Sequence, residues 1–412
     1  MNISNTFGTA AEQSGAAKLY FDGTHRSRAP EDTLTRVEPY FPLMGITRIA
    51  DVTGLDRIGI PVTIVCRPNS RSVAISQGKG TTIEAAKASG VMESIETYHA
   101  EHITLPLKFA SLEEVRYSHP LIDLDDLPEV GGGCFHPHLQ LMWIEGVNLL
   151  CDEPVWLPFE LVHTNYTRPM PPGSGSFMAS SNGLASGNTF TEAVSHAICE
   201  VVERDAVALW SQSSDTARSE RRIRPETITD PNCRGLLDKY ERAGIQVAVW
   251  DVTSDTGIAA ILVWIMEDGS RERLLARPSV GAGCHPVREV ALSRALTEAA
   301  QERLTLITGS RDDLQRDYYG EMSLQHVFDA AGDRDFMSVP TRCCPSAEDD
   351  VDWLLGQLKS VGVEQVVTVD LSQEVFRQIA VARVVIPKLE GVVDDARYVP
   401  GARAAALREA AS

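Results

Sequence analysis

The stretch SQGKGTTIEAAKASGVMESIETYHAEH, residues 76–102, decides the fold because it joins a glycine-rich segment to a long helical pattern. Before it, β-branched residues bounded by Gly and Pro in GIPVTIVCRP (59–68) and SVAISQG (72–78) predict two strands. After Gly80, apolar residues recur with the period of a helix. The stretch therefore predicts a unit in which strands lead directly into a helix.

The Gly78-Lys79-Gly80 sequence predicts a turn at the start of this helix. A P-loop would need glycine five residues before Gly78 and Ser or Thr after Lys79, but Val73 and Gly80 occupy these positions. Backbone amides at a helix start can still bind an anion. We therefore expect Lys79 and this turn to contact a phosphate without forming a Walker motif.

Two later segments repeat the arrangement. GSGSFMASSNGLASGN (173–188) precedes the helical pattern of 189–210, and RPSVGAGCHP (277–286) precedes that of 287–307. Both glycine-rich segments predict irregular turns that open long helices, the first of which Thr189 or Thr191 could cap. Further strands are predicted in 245–254, 258–268, 363–372 and 379–387. Strands and helices alternate without a strict βαβ period, so the predicted fold class is α+β.

Composition excludes several classes of function. The 412 residues include 57 acidic and 38 basic ones, and the net charge of -19 argues against binding nucleic acid or an anionic membrane surface. The first residues lack a secretory signal, and no apolar run approaches the roughly 20 residues of a membrane span, which favours the cytoplasm. The eight cysteines form no CxxC pair and are expected to be reduced thiols.

Glutamates recur on the predicted helices. Glu192, Glu200 and Glu203 fall within about 80° of arc on one helix, and Glu93 and Glu96 are one turn apart on another. Carboxylates on strongly apolar helices need a cation if they are buried, because like charges repel and an unpaired buried charge is costly. Magnesium would satisfy them, since it is commonly held by carboxylates together with substrate phosphates.

Two other interpretations remain open for these glutamates. They could be solvated or paired with Arg and Lys, as most helical Glu-x-x-Glu pairs are. Alternatively, Glu96-x-x-His99 could be half of a di-iron carboxylate site, although Ala206 occupies the position where a second copy after Glu203 would need histidine.

Four ordered blocks carry a resemblance to a known family. They are GITRIADVTGLDRIGIPV, SQGKGTTIEAAKASGVMESIE, SSNGLASGNTFTEAVSHAICEVVERDA and RALTEAAQER. Together they resemble the YcaO-domain proteins from about residue 26 to residue 403. The resemblance implies mixed β-sheets and long carboxylate-bearing helices around a central nucleotide site. It also implies an enzyme that uses ATP and Mg²⁺ to phosphorylate a peptide backbone amide oxygen, and a homodimer.

The resemblance assigns roles to individual residues. It implies that Glu93, Glu96, Glu200 and Glu203 are magnesium ligands, and that Asn188 and Glu192 contact the nucleotide and metal. It places phosphate-facing arginines at Arg204 and Arg294, and nucleotide contacts at Arg26 and Thr33. Arg294 could instead form an ordinary helix ion pair with Glu298, four residues later.

The C-terminal part favours one branch of the family. Azoline-forming members often end in a proline-rich tail, whereas this chain ends YVPGARAAALREAAS. The run RVVIPKLEGVVDDARYVPGAR resembles members that work with a TfuA partner, which implies thioamide formation in a peptide or protein substrate. An azoline-forming or amidine-forming enzyme is the alternative, and a non-catalytic ATP-binding accessory factor is the alternative of another class. The expected organisation is a polar leader at 1–25, a catalytic domain at 26–403 and a tail at 404–412.

Overall fold

The structure is a computed structural model that describes residues 17–128, 130–268, 275, 277–311, 325–393 and 397–411. Within these ranges the α-helices are α1 (Pro30–Val37), α2 (Phe41–Met44), α3 (Ile83–Glu101), α4 (Leu112–Val115), α5 (Phe190–Ser211), α6 (Asp215–Glu220), α7 (Pro231–Arg242), α8 (Arg288–Thr308), α9 (Gln325–Asp329), α10 (Ala347–Ser360) and α11 (Ala402–Ala411). Three of these helices, α3, α5 and α8, are about 20 residues long and build the centre of the molecule.

The strands form three antiparallel sheets. They are β1 (Arg48–Asp51), β2 (Val62–Cys66), β3 (Ile75–Lys79), β4 (Leu107–Ser111), β5 (Gln140–Asn148), β6 (Glu153–Pro158), β7 (Leu184–Gly187), β8 (Ile245–Asp251), β9 (Ala260–Glu267), β10 (Ser279–Cys284), β11 (Val367–Asp370) and β12 (Ala380–Val385). The sheet orders are β1-β2-β3, β10-β9-β8 and β4-β5-β11-β12-β7, with β6 paired to β5. The α+β prediction is confirmed, and the four strands predicted in 245–254, 258–268, 363–372 and 379–387 are β8, β9, β11 and β12. Strand β8 pairs with β9, and β11 pairs with β12.

Local capping fixes where the first two long helices begin. The Thr82 side chain accepts a hydrogen bond from the Ala85 amide at the start of α3. Thr189 does the same for the Glu192 amide at the start of α5, so Thr189, rather than Thr191, is the cap. Threonine at this position satisfies an amide that has no partner within the helix.

The predicted glycine-rich turns are wrong over 78–79, 184–187 and 279–284, whereas 173–183 is irregular as predicted. Gly78 and Lys79 end strand β3, and the segments before α5 and α8 contain the buried strands β7 and β10. Each strand carries glycine where a helix backbone lies directly against it. A Cβ at Gly78 would lie 1.9 Å from the Ala86 carbonyl oxygen of α3, and one at Gly281 would lie 2.1 Å from that of Ala295 of α8.

These strands and helices alternate around a closed ring. Helix α3 contacts β3 and β7, helix α5 contacts β7 and β10, and helix α8 contacts β10 and β3. The ring brings one face of each long helix toward a shared centre. Apolar residues fill the space outside it, as on α5, where Ala197, Ile198 and Val202 have no exposed surface.

All eight cysteines are free, as expected from their spacing. Among the described residues, no helix combines the length and the apolar composition that crossing a membrane requires.

Candidate functional site

Helix α3 contributes Glu93 and Glu96 to the centre of the ring. The Ser186 amide and hydroxyl, at the end of strand β7, donate to Oε1 of Glu96 at 2.8 and 2.7 Å, and the Gln77 amide donates to Glu93 at 3.4 Å. Burial raises the pKa of Glu93 to about 7. Burial also raises the pKa of Glu96 to about 8, and the neighbouring carboxylates Glu93 and Glu200 raise it further. The two side chains are thus held by neutral donors.

Helix α5 faces them with Glu200 and Glu203. Burial raises the pKa of each to about 7, and Arg204 acts against that rise in both. The Arg204 guanidinium lies 3.7 Å from Oε1 of Glu203. The carboxylates of α3 and α5 are close enough to raise one another's pKa values. The helical spacing predicts that Glu200 and Glu203 share one face of α5.

The third helix adds a carboxylate whose role was not predicted from the sequence. Glu298 of α8 forms an ion pair with Lys79 of β3. Burial would raise the pKa of Glu298, but Lys79 and Arg204 lower it below its ordinary value. The sequence signal was present, because RALTEAAQER repeats the Glu-Ala pattern of the other two helices.

A second residue missed from the sequence is Arg383 of strand β12. It is buried, and it acts electrostatically on Glu200. Burial lowers the pKa of Arg383 to about 10. An arginine within the apolar run IAVARVVIP gives no sequence signal of a site, because only the sheet pairing places it behind α5.

The carboxylates of the cluster act on one another, and they are Glu93, Glu96, Glu200, Glu203 and Glu298. The pKa values of the four on α3 and α5 stay raised although Lys79, Arg204, Arg294, Arg311 and Arg383 act on members of the cluster. Carboxylates that the protein's own cations do not fully neutralise fit a divalent cation. Among the described residues, no three His, Cys, Asp or Glu side chains converge closely enough to hold a metal ion alone. Magnesium usually takes one or two carboxylates and completes its shell with water and phosphate, so the arrangement suits an ion that arrives with a nucleotide.

A pocket adjoins this cluster. Arg26, Glu192, His196 and Arg294 are among its lining residues. Arg294 connects the pocket to the cluster, since Glu203 acts electrostatically on it. Burial lowers the pKa of His196 well below its ordinary value, and Arg294 and Arg26 add to the effect, so that imidazole is neutral near pH 7.

The rim of the pocket is tied together by hydrogen bonds. The Ser27 and Asn188 amides donate to the two oxygens of Glu192 at 2.5 and 3.0 Å. The Thr33 hydroxyl donates to the Asn188 side-chain oxygen at 3.1 Å. The structure thus brings the residues proposed from the sequence into two adjoining groups: Glu93, Glu96, Glu200, Glu203, Arg204 and Lys79 in the cluster, and Arg26, Thr33, Asn188, Glu192 and Arg294 at the pocket.

Two alternative sequence interpretations do not match the geometry. Arg294 donates to the Cys284 carbonyl at 3.1 Å, while Glu298 pairs with Lys79, so these contacts take the place of the alternative Arg294–Glu298 ion pair. His99 is fully buried, and its Nδ1 lies 2.8 Å from the Ile95 carbonyl, away from a di-iron arrangement with Glu96.

Comparison with known proteins identifies the family. Residues 77–390 match the YcaO cyclodehydratase family, described as ATP- and Mg²⁺-binding. An uncharacterized protein in the tfuA 3′ region of Rhizobium leguminosarum bv. trifolii is 36% identical over 381 residues, which cover 89% of this chain and 88% of that protein. An uncharacterized protein of Methanothermobacter thermautotrophicus is also 36% identical over 381 residues, covering 88% of this chain and 94% of its own.

Solved structures show the same fold. YcaO from Methanopyrus kandleri, bound with AMPPCP and Mg²⁺, superposes with a TM-score of 0.73 at 22% identity, over 93% of this chain and 98% of that chain. A heterocyclase in complex with substrate and cofactor superposes with a TM-score of 0.74 at 22% identity, over 92% of this chain. The present chain spans about half, 54%, of that heterocyclase. The chain belongs to the YcaO family, and its cofactors are ATP and Mg²⁺.

Proposed function

We propose that the protein activates a peptide backbone amide by O-phosphorylation and, together with a TfuA-like partner, forms a thioamide. The observation that carries this proposal is the cluster of five glutamates from three helices, with an arginine-bearing pocket beside it. Phosphoryl transfer needs little covalent help from a protein, because it depends mainly on positioning and on neutralising the charge of the phosphates. The cluster, with its bound metal, and the arginines of the pocket would provide both.

The proposed reaction conserves atoms without any redox step. A sulfur nucleophile adds to the amide carbon, and the amide oxygen takes a phosphoryl group. The C–O bond then breaks, the oxygen leaves as phosphate, and the C–S bond remains. Bound Mg-ATP supplies the phosphoryl group and part of the charge neutralisation.

The chain contributes ligands and cationic contacts to this reaction. Glu93, Glu96, Glu200 and Glu203 would hold Mg²⁺, and Glu192 and Asn188 would orient the metal and nucleotide at the rim. The cationic side chains of Arg26, Lys79, Arg204 and Arg294 would contact phosphate, with Thr33 beside them. Lys79 would do so from strand β3, where it pairs with Glu298, and not from a phosphate loop.

The choice of thioamide formation has two supports. A relative that is 36% identical over most of both chains is named for its position beside tfuA, and the segment 383–403 resembles TfuA-associated members. The YcaO cyclodehydratase description of the family favours azoline formation as the second candidate. Amidine formation follows if an amine is the nucleophile. A non-catalytic ATP-binding accessory role is the remaining possibility.

Intact-mass spectrometry separates these activities. A candidate precursor peptide is incubated with the protein, a TfuA-like partner, ATP, Mg²⁺ and sulfide. We expect a gain of about 16 Da, which corresponds to exchange of oxygen for sulfur after phosphoryl activation. A loss of about 18 Da would instead indicate cyclodehydration. An unchanged peptide, with ATP bound, would contradict the enzymatic proposal and favour the accessory role.

A further inference from the structure

The C-terminal segment is joined to helix α5 by an ion pair with a buried carboxylate. Arg403, the second residue of α11, donates to both carboxylate oxygens of Asp205 at 3.0 and 3.1 Å. Its guanidinium also donates to Asp255 at 2.5 Å. Asp205 has no exposed surface, and it also accepts the Glu390 amide at 3.0 Å. A bidentate guanidinium–carboxylate pair of this kind fixes orientation as well as distance.

Glu390 fixes the other end of the segment. Its carboxylate accepts from the Tyr398 hydroxyl at 2.7 Å and from the Gly401 and Ala404 amides at 2.9 and 2.8 Å. A Cβ at Gly401 would come within 3.0 Å of Glu390 Oε1, so glycine allows this close approach. Glu390 thus links the start of α11 to α5: its carboxylate accepts from Gly401 and Ala404 at the start of α11, and its amide donates to Asp205.

The pair acts on the part of α5 that carries the carboxylates. Asp205 follows Glu203 by two residues, so it projects about 200° around the helix, on the side away from the cluster. Helix α11 packs against α5 on this outer side. A contact behind a helix fixes its rotation, and the rotation of α5 determines where Glu200, Glu203 and Arg204 lie.

We propose that Arg403 and Glu390 are positioning residues for the Mg-ATP site. The segment 397–411 lies beyond the family match, which ends at residue 390, and in this chain it completes the site by holding the C-terminal half of α5. This inference rests on the proposed function in one respect, the assignment of Glu200 and Glu203 as magnesium ligands. It extends the catalytic unit through α11, into the residues expected to form a separate tail.

The test removes both charges of the pair at once. Replacing Arg403 alone would leave Asp205 as an unpaired buried charge and unfold the region for an unrelated reason. The double variant Asp205→Asn/Arg403→Gln retains hydrogen-bonding groups without that penalty. The measurement is the Mg²⁺ concentration that gives half-maximal binding of ATP, together with ATP affinity in EDTA. The matched control is Arg408→Ala, an exposed arginine on the same helix.

We expect the double variant to need about tenfold more Mg²⁺, as is typical when the residues supporting metal ligands are lost. Its ATP affinity in EDTA should match that of wild type and of the control. An unchanged Mg²⁺ requirement, or an equal loss of ATP affinity with and without Mg²⁺, would overturn the proposal. If the double variant does not fold, Arg403→Lys serves instead, because it keeps Asp205 paired but loses the bidentate geometry. We expect Arg403→Lys to raise the Mg²⁺ concentration needed for half-maximal ATP binding. A concentration equal to that of wild type would overturn the proposal.

This experiment uses no peptide, so a failure to detect a thioamide does not affect it. Wild-type protein that bound ATP without any dependence on Mg²⁺ would contradict the proposed function itself, before any variant is compared.

Discussion

Replacing Glu96 by glutamine should stabilise the metal-free protein, and the gain should grow with pH. Burial raises the pKa of Glu96 from its ordinary 4.5 to about 8, and Glu93 and Glu200 contribute in the same direction. The folded state therefore binds this proton more tightly than the unfolded chain does. The free energy of unfolding is highest below pH 4.5 and falls as the pH rises to about 8.

The size of the effect follows from this shift. One pKa unit corresponds to about 1.4 kcal/mol, so ionisable Glu96 lowers the free energy of unfolding by roughly 1 kcal/mol at pH 5 and roughly 4 kcal/mol at pH 8. Glutamine has the shape of the protonated acid and keeps an acceptor for the Ser186 amide and hydroxyl. We therefore expect Glu96→Gln to be more stable than wild type by about these amounts.

Urea unfolding in EDTA at pH 5 and pH 8 measures the difference. Glu145→Gln, on an exposed position of β5, is the matched control and should have little effect at either pH. The reasoning would be refuted if Glu96→Gln gave the same gain at both pH values, or no gain at pH 8. With Mg-ATP at 100 times its Kd, wild type should gain about 2.7 kcal/mol from binding, and the variant should gain much less.

Two further substitutions test other parts of the site. Lys79→Ala should weaken ATP binding only modestly, because Lys79 is a strand residue paired with Glu298 and not part of a P-loop. Calorimetric titration measures the ATP affinity, and complete loss of binding would contradict this prediction. Gly78→Ala should lower the free energy of unfolding by several kcal/mol, since the new Cβ would meet the Ala86 carbonyl at 1.9 Å. Gly235→Ala, with open space around it on α7, should instead be neutral or slightly stabilising, and equal effects of the two changes would contradict the packing argument.

The sequence allowed the long helices and their glutamates to be predicted well. Apolar periodicity identified α3 and α5, and the spacing of Glu200 and Glu203 placed them on one face, where the structure brings them toward Glu93 and Glu96. Such patterns are local, because helix period and capping depend on residues within a few turns.

The glycine-rich strands could not be predicted in the same way. Gly and Ser in 184–187 and 279–284 favour turns by local propensity. In the structure these residues are strands because their neighbours in the sheets pair with them and a helix backbone occupies the place of their side chains. Tertiary packing overrides propensity at these positions.

The same limit applies to parts of the site and to the C-terminal segment. Arg383 reaches Glu200 only through the pairing of β12 with β7, and Arg403 reaches Asp205 across 198 residues of chain. Neither contact has a local pattern. Glu298 was partly predictable. The sequence RALTEAAQER around it was identified as a family motif, but its ion-pair partner, Lys79, lies 219 residues away.

The central claim is that glutamates of α3 and α5 hold the magnesium that accompanies ATP. The most direct test is calorimetric titration of ATP into wild type and Glu203→Gln, each over a range of Mg²⁺ concentrations, with circular dichroism to confirm that both are folded. We predict that Mg²⁺ strengthens ATP binding in wild type, and that the folded Glu203→Gln variant loses this Mg²⁺-dependent binding. A folded variant with the wild-type ATP affinity at every Mg²⁺ concentration would contradict the assignment of Glu203 as a magnesium ligand.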